Sequence, residues 1–204
     1  AVIDTVFVRV NHANLPTLDH PPNQYIKEVS TGNAIIWHPH DGQMGTRSYT
    51  IYKDGAVDKT GLWPGTVPTI SVNVDGNDLG SYNYTCEIRD SAGNYAYDTV
   101  WVYVYDGTPP EVNDAVDILY AEGDLISYII NWNGTDLHPE EYAIYLDEGL
   151  LTSGTWNDSS EVISIDAGLL PYGTYIFKIE LSDIGNNEVS DSVAVTVTDE
   201  NLLE

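Results

Sequence analysis

The chain has 204 residues, enough for one large domain or for two of about 100 residues that each bury a core. It carries 32 aspartates and glutamates against seven lysines and arginines, a formal net charge of −25. This charge excludes nucleic acid and anionic membrane surfaces as partners, and no 18-residue apolar segment is present for membrane insertion. No sustained apolar period near 3.6 residues occurs either, which favours an all-β chain.

The first half of the sequence predicts a series of short strands. In residues 80–89 apolar and polar side chains alternate, so Tyr82, Tyr84 and Cys86 share one face. Turns such as "STGN", "KDG" and "DSAGN" separate the strands, because their residues tolerate positive φ. The predicted strands are 24–29, 33–38, 48–53, 56–60, 69–74, 81–89 and 96–104, after an extended segment at Leu15–Asp19. Such strands predict a β-sandwich, since one sheet alone would leave its apolar face in water.

An internal repeat divides the chain in two. "GSYNYTCEIRDSAGNYAYDTVWVYV" at 80–104 aligns with "GTYIFKIELSDIGNNEVSDSVAVTV" at 173–197 at a constant offset of 93. The equivalent pairs include Gly80 and Gly173, Tyr82 and Tyr175, Asp90 and Asp183, and Asp98 and Asp191. Upstream, "AIIWHPHD" matches "IINWNGTD", and "TGLW" matches "TSGTW". The repeat predicts two homologous domains, at 11–107 and 108–204.

Motifs in both repeats resemble those of a known class of domain. "GSYNY" followed by "DSAGN", and "LLPYGTYIFKI" at 169–179, are similar to the late strands of immunoglobulin-like, fibronectin-III-like and PKD-like domains. The whole series resembles tandem repeats of archaeal and bacterial cell-surface proteins. The resemblance implies two tandem immunoglobulin-like β-sandwiches and places Tyr82 and Tyr175 at the tyrosine corner. The paired cysteines of antibody domains are missing, so we expect Cys86, the counterpart of Ile179, to be a small buried hydrophobe.

The chain begins with an additional copy of a closing strand. "DTVFVRV" at 4–10 matches "DTVWVYV" at 98–104 and "DSVAVTV" at 191–197, and it places Val6, Val8 and Val10 on one face. Residues 1–10 therefore read as a strand without a partner in its own domain. Two interpretations stay open: an upstream domain supplied this strand, or it is donated to a neighbouring copy and links copies head to tail.

Residues that could carry chemistry are few. No nucleophile elbow, HExxH motif or phosphate-binding loop is present, so we predict no catalytic residues, no enzyme activity and no organic cofactor. His38 and His40 in "WHPH" could suit a transition metal, although Pro39 favours a turn there.

Calcium is the better metal hypothesis, because hard cations take several oxygen ligands from loops. The candidate ligands are Asp75, Asn77 and Asp78 in "NVDGNDLG", and Asp106, which could join Asp90 or Asp136. From residue 108 onward there are 20 acidic residues and a single base, Lys178. Aspartate and asparagine in turns need no metal, and that interpretation also stays open.

Three sequons, at Asn83, Asn133 and Asn157, could carry N-linked glycans. Asn83 alternates with the inward Tyr82 and Tyr84 and should face solvent, and the other two are predicted to lie in turns.

These features predict a non-catalytic extracellular structural module, a building block of a surface protein or filament. Its partners would be other copies of itself or neighbouring repeats. The alternative is an adhesin or glycan-binding module that uses aromatic side chains around Trp63 and Trp156. Trp101 and Tyr103 point away from the valine face of their strand and could form an adhesive patch, a partly covered sheet face or a domain contact.

Overall fold

The computed structural model describes Val6 and residues 15–42, 45–63 and 69–199. It divides the chain into two compact units, of which the first ends at Tyr105 and the second begins at Asp106. The described residues form strands and turns and contain no helix, so the predicted all-β class is confirmed. Accordingly, they include no helix long and apolar enough to cross a membrane.

Unit 1 is built from seven described strands, close to the ranges that alternation and turn residues predict. They are β1 (Gln24–Lys27), β2 (Ala34–Trp37), β3 (Ser48–Lys53), β4 (Ala56–Leu62), β5 (Ile70–Asn73), β6 (Gly80–Arg89) and β7 (Tyr95–Tyr105). One sheet has the order β1-β7-β6-β3-β4, and β2 pairs with β5 in the other. Strand β1 runs parallel to β7, whereas the other pairs are antiparallel.

Unit 2 repeats this arrangement. Its strands are β8 (Glu111–Val112), β9 (Ile118–Ala121), β10 (Ile129–Thr135), β11 (Pro139–Leu146), β12 (Gly149–Thr155), β13 (Ser160–Asp166), β14 (Gly173–Asp183) and β15 (Glu188–Thr198). One sheet has the order β12-β11-β14-β15-β9 and the other β13-β10-β8. The pairing register of the long hairpin is the same in both units, with Tyr84 opposite Val100 and Phe177 opposite Val193.

Each unit encloses its own apolar core between its two sheets. Alternate residues of the long hairpins point inward, so Cys86 and its counterpart Ile179 are both fully buried. Burial raises the pKa of the Cys86 thiol to about 12. Two tryptophans on early strands, Trp37 and Trp132, lie at the centre of the cores and are fully buried.

The units share the polar contacts that hold the strands in register. The indole N–H of Trp37 donates to Asp98 at 2.8 Å, and that of Trp132 donates to Asp191 at 2.7 Å. These bonds join the two sheets of each sandwich, because each tryptophan and its aspartate lie on different sheets.

Two further contacts recur at turns. Asp54, at φ 49°, accepts the N–H of Asn83, and Asp147, at φ 46°, accepts the N–H of its counterpart, each at 2.9 Å. The hydroxyl of Tyr82 donates to the carbonyl four residues earlier at 2.9 Å, and that of Tyr175 does so at 3.1 Å. This is the geometry of a tyrosine corner, in which the hydroxyl bonds upstream backbone.

Candidate functional site

Three aspartates of unit 2 lie together although they come from distant parts of its sequence. Asp106 is the first residue of the unit, Asp136 directly follows β10, and Asp183 is the last residue of β14. One carboxylate oxygen of each lies within 4.8 Å of those of the other two. We call this group the aspartate triad. Asp183 is fully buried and Asp106 is 9 % exposed, so much of the negative charge is withdrawn from water.

Short turns hold these carboxylates in place. Oδ1 of Asp106 accepts the backbone N–H two residues further along the chain at 3.0 Å, and Oδ1 of Asp136 does the same at 2.7 Å. Asp183 accepts the side-chain amide and the backbone N–H of Asn187. Oδ2 of Asp106, in contrast, is buried and has no hydrogen-bond partner in the part of the chain that the structure describes.

The triad is electrostatically unfavourable as it stands. Burial raises the pKa of Asp136, and the negative charges of Asp106 and Asp183 raise it further. The hydrogen bond from the backbone N–H of His138 lowers the pKa of Asp136. Positive charge on the His138 ring also lowers it, and this is the smallest of the effects on the pKa. A cation among the three carboxylates would remove the repulsion between them.

The corresponding part of unit 1 contains an arginine. Asp41 is the counterpart of Asp136 in the repeat, and the Nε of Arg47 donates to Oδ2 of Asp41 at 3.0 Å. The guanidinium also bonds the carbonyl of Asp41 and lies 4.9 Å from the centre of the Trp63 ring. Arg47 is 8 % exposed, so unit 1 buries a cation beside its aspartate.

In unit 2 a glutamate takes the position of Arg47. The N–H of Trp63 donates to the carbonyl of Arg47 at 3.2 Å, and the N–H of Trp156 donates to the carbonyl of Glu140, also at 3.2 Å. The two backbone positions therefore correspond, but the Glu140 residue is exposed. Unit 2 thus lacks the arginine that pairs with this aspartate in unit 1.

The other predicted calcium ligands are not part of the triad and use their polar atoms within unit 1. Asp75 accepts the backbone N–H groups of Gly32 and Asn33 at 2.9 and 2.8 Å, which lowers the pKa of its carboxyl. Asn77 is buried, accepts a hydrogen bond from Lys53 and donates to the carbonyl of Val74 and to the hydroxyl of Tyr84. The side chain of Asp78 is exposed, and its carbonyl accepts the tyrosine-corner hydroxyl.

The two histidines of "WHPH" have separate partners. The Nδ1 atom of His38 lies 2.7 Å from Oδ2 of Asp19, and its backbone N–H donates to Oδ1 of the same aspartate. His40 is exposed, and its backbone forms an isolated bridge with Thr17. Thr17 lies in the extended segment predicted at Leu15–Asp19, and this bridge is the β-pairing that the structure shows there.

The tryptophans proposed for glycan stacking are core residues. Trp63 is 3 % exposed and donates its indole N–H to the carbonyl of Ser48, and Trp156 is fully buried and donates to the carbonyl of Ser182. A sugar ring needs an accessible aromatic face. Neither of these two tryptophans can itself be a stacking platform.

A different set of aromatic side chains is accessible on unit 1. Tyr25 on β1 lies opposite Tyr103 on β7, with ring centroids 4.9 Å apart and planes at 20°. Trp101 continues the stack at 6.3 Å and 17°. Tyr25 is 72 % and Trp101 42 % exposed. We call these three side chains the aromatic row. Unit 2 has no such row in the corresponding described strands, since Ala194 and Thr196 replace its β7 members.

The three sequons differ in their surroundings. Asn83 is half-buried on β6, and its side-chain amide donates to Asp54 at 3.1 Å. Asn157 is exposed in a loop, as predicted. Asn133 is also exposed, but it lies within β10 and not in a turn. The Asn-Gly pair does not form a turn here, because Gly134 lies within β10, where a Cβ would come to 2.8 Å from Leu181 and 3.0 Å from the Trp156 ring.

Similarity to known proteins is seen in the fold. No family model matches the chain, and no curated protein matches its sequence. The titin domains Z1Z2, solved in complex with telethonin, are similar over 93 % of this chain and 100 % of that one, at 14 % identity and a TM-score of 0.54. The chain carries tandem immunoglobulin-like β-sandwiches.

Two bacterial structures are more distant matches. The fibronectin(III)-like modules of Clostridium thermocellum CbhA match 93 % of this chain and 97 % of that one, at 14 % identity and a TM-score of 0.37. A Bacteroides ovatus protein, SGBP-B, solved with a mixed-linkage heptasaccharide, matches 91 % of this chain and 48 % of that one. Its identity is 17 % and its TM-score 0.37.

The sequence suggested that Asp106 could join Asp90 or Asp136, and it did not suggest Asp183 as a further member. A signal for it was present. Asp90 had been considered as a partner of Asp106, and Asp183 is the counterpart of Asp90 in the second repeat. Applying the repeat offset to Asp90 would have completed the triad within one unit.

Proposed function

We propose that the chain is a non-catalytic structural module of an extracellular surface protein or filament. The observation that carries the proposal is the kind of contact that the two units share. Inter-sheet tryptophan–aspartate bonds, aspartate-capped hairpins and tyrosine-corner bonds all recur. Each holds a sandwich together. The aromatic row and the aspartate triad, in contrast, are each found in one unit among the described residues.

A structural role predicts an array whose repeats fold on their own. In a longer chain of such repeats, each added sandwich would lengthen the array without adding a catalytic or binding site. Native surface material should therefore contain this chain within an extracellular, protease-resistant polymer. Detection of the chain by peptide mass mapping of shed surface material would support the proposal. Its confinement to the cytoplasmic fraction would contradict it.

We further propose that residues 1–10 link copies head to tail. Apart from Val6, which is 78 % exposed, these residues lie outside the described part of the chain. Their sequence is that of a closing strand, but both closing-strand positions are already occupied. In unit 1 β7 lies between β6 and β1, and in unit 2 β15 lies between β14 and β9. An acceptor must then be a sheet edge. Strands β4 and β12 are edge strands, and both carry exposed apolar side chains, such as Leu62 and Leu150.

Deletion of residues 1–10 tests this assembly. We expect the full chain to form concentration-dependent oligomers in sedimentation velocity, and the deleted chain to remain a monomer. A variant with Val6, Val8 and Val10 changed to threonine keeps the length of the segment but removes its apolar face. It separates the effect of the lost apolar contact from the effect of shortening the chain. If the full and deleted chains sediment alike, the proposed linkage is wrong.

Glycan binding is a second candidate function, which the aromatic row favours. Its side chains Tyr25 and Trp101 are exposed on one sheet, and aromatic rings offer flat apolar surfaces to the apolar faces of sugars. The experiment is a glycan array with the full chain and with a Tyr25→Ala, Trp101→Ala double variant. Saturable binding by the parent chain alone supports this function, and the absence of saturable binding by either chain supports the structural role.

A further inference from the structure

The aspartate triad differs in one respect from the other acidic groups among the described residues. It contains a side chain that is nine-tenths buried and has an oxygen without a partner, Oδ2 of Asp106. A buried carboxylate oxygen that accepts no hydrogen bond has lost its hydration without replacement. Burial of such an oxygen next to two other carboxylates indicates that a cation completes the site.

The comparison between units identifies what kind of cation is missing. In unit 1 the corresponding aspartate has a guanidinium from the same chain, at 3.0 Å. In unit 2 the same backbone position carries Glu140, and Lys178 is the only lysine or arginine from residue 108 onward. Lys178 bonds Glu180, which is on its own strand. No arginine or lysine of this sequence region is left to neutralise the triad.

We propose that the aspartate triad, Asp106, Asp136 and Asp183, binds one calcium ion, which replaces in unit 2 the arginine of unit 1. Calcium takes six to eight oxygen ligands at about 2.3–2.6 Å in flexible geometry. Three carboxylates with oxygens within 4.8 Å of one another span such a coordination shell. Solvent completes it, because Asp136 is only partly buried.

The site would fasten three segments of unit 2 to each other. Asp106 belongs to the segment that enters the unit, and Asp136 and Asp183 follow or end strands of opposite sheets. A bound ion would therefore stabilise the folded unit, because it would connect these three segments. Because a ligand that binds the native state alone adds stability as RT ln(1 + [L]/Kd), calcium should raise the melting temperature in a concentration-dependent way.

The test uses the full chain, freed of metal with EDTA and dialysed, and calcium chloride as the probe. Isothermal titration should give one site per chain. At about 100 times the Kd, the unfolding transition of unit 2 should rise by roughly 10–20 °C. Asp136→Asn keeps the oxygen that accepts the backbone N–H but removes a charge, and we expect calcium affinity at least tenfold weaker. Asp114→Asn, an exposed charge in the same unit, is the matched control and should leave the affinity unchanged.

A second variant covers the case in which the first one fails to fold. Glu140→Arg restores the arginine of unit 1, and it should raise the melting temperature in EDTA and abolish the response to calcium. Asp158→Arg makes the same charge change at an exposed loop position and should keep the response. If calcium at about ten times a millimolar dissociation constant does not bind the parent chain, the proposal is wrong. Equal calcium affinity in the parent chain, Asp136→Asn and Glu140→Arg would also overturn it. Neither result would affect the proposed structural function, which does not require a metal.

Discussion

The inter-sheet bond of unit 2 gives a direct measure of how the sandwich is held together. Trp132 is fully buried, and its indole N–H donates to Oδ2 of Asp191 at 2.7 Å. In Asp191→Ala the N–H stays in the core without an acceptor. Such an unsatisfied donor costs about 1–3 kcal/mol of unfolding free energy. At about 4–8 °C per kcal/mol for a domain of this size, unit 2 should melt at least 4 °C lower.

A double-mutant cycle isolates this bond from the loss of a charge. Urea unfolding followed by tryptophan fluorescence would be measured for Asp191→Ala in the parent chain and in a Trp132→Phe background. Without the indole N–H, the aspartate substitution should cost about 1 kcal/mol less. Asp191→Asn keeps an acceptor oxygen and should lie between the parent chain and the alanine variant. If Asp191→Ala costs the same in both backgrounds, the indole bond does not hold the two sheets together.

Three further predictions concern single residues. Glu148 has φ 71° where the matching turn of unit 1 has Gly55, so Glu148→Gly should stabilise unit 2 by about 0.5–1 kcal/mol in urea unfolding. Cys86, buried and with its pKa raised to about 12, should resist iodoacetamide at pH 8 until urea unfolds unit 1. The pKa of Asp75 is lowered chiefly by the hydrogen bond from the N–H of Gly32. The ionised carboxylate therefore stabilises the fold fully above its ordinary pKa of 3.8, and this stabilisation is lost as the pH falls through the lower folded-state pKa. Asp75→Asn should therefore flatten the acid side of a stability–pH curve.

The strands could be predicted from sequence because their signals are local. Alternation sets the inward face of residues 80–89, and glycine with aspartate sets the hairpin after Lys53, which forms a two-residue turn in the structure. The repeat then transfers each assignment to the other unit. Asn133 was wrongly placed in a turn because an Asn-Gly pair has the same local signal whether it turns or not. In the structure Gly134 is a strand residue packed against Leu181 and Trp156, which are distant in the sequence.

The candidate sites depended on contacts that no local pattern encodes. Trp156 directly follows β12 in a polar sequence, "TSGTW", yet the structure buries it. Its burial depends on the opposite strands of the sandwich. The aspartate triad likewise combines residues separated by 30 or more positions, and only the sheet topology brings them together. What the sequence did contain was the substitution of Arg47 by Glu140, visible once the repeats are aligned.

The strength of calcium binding would also bear on where the protein works. Calcium sites of extracellular modules have dissociation constants of about 10⁻⁴–10⁻³ M, whereas cytosolic buffers bind at about 10⁻⁹–10⁻⁸ M. The triad offers three carboxylates whose oxygens also accept backbone or amide hydrogen bonds, and it has no preformed shell of other charged ligands among the described residues. We therefore expect a dissociation constant of about 0.1–1 mM at neutral pH, measured by titration calorimetry of the full chain. Such a site would be filled only where calcium is abundant, which agrees with a surface location. A dissociation constant in the nanomolar range would contradict the expected low affinity, and the affinity would then no longer support an extracellular location.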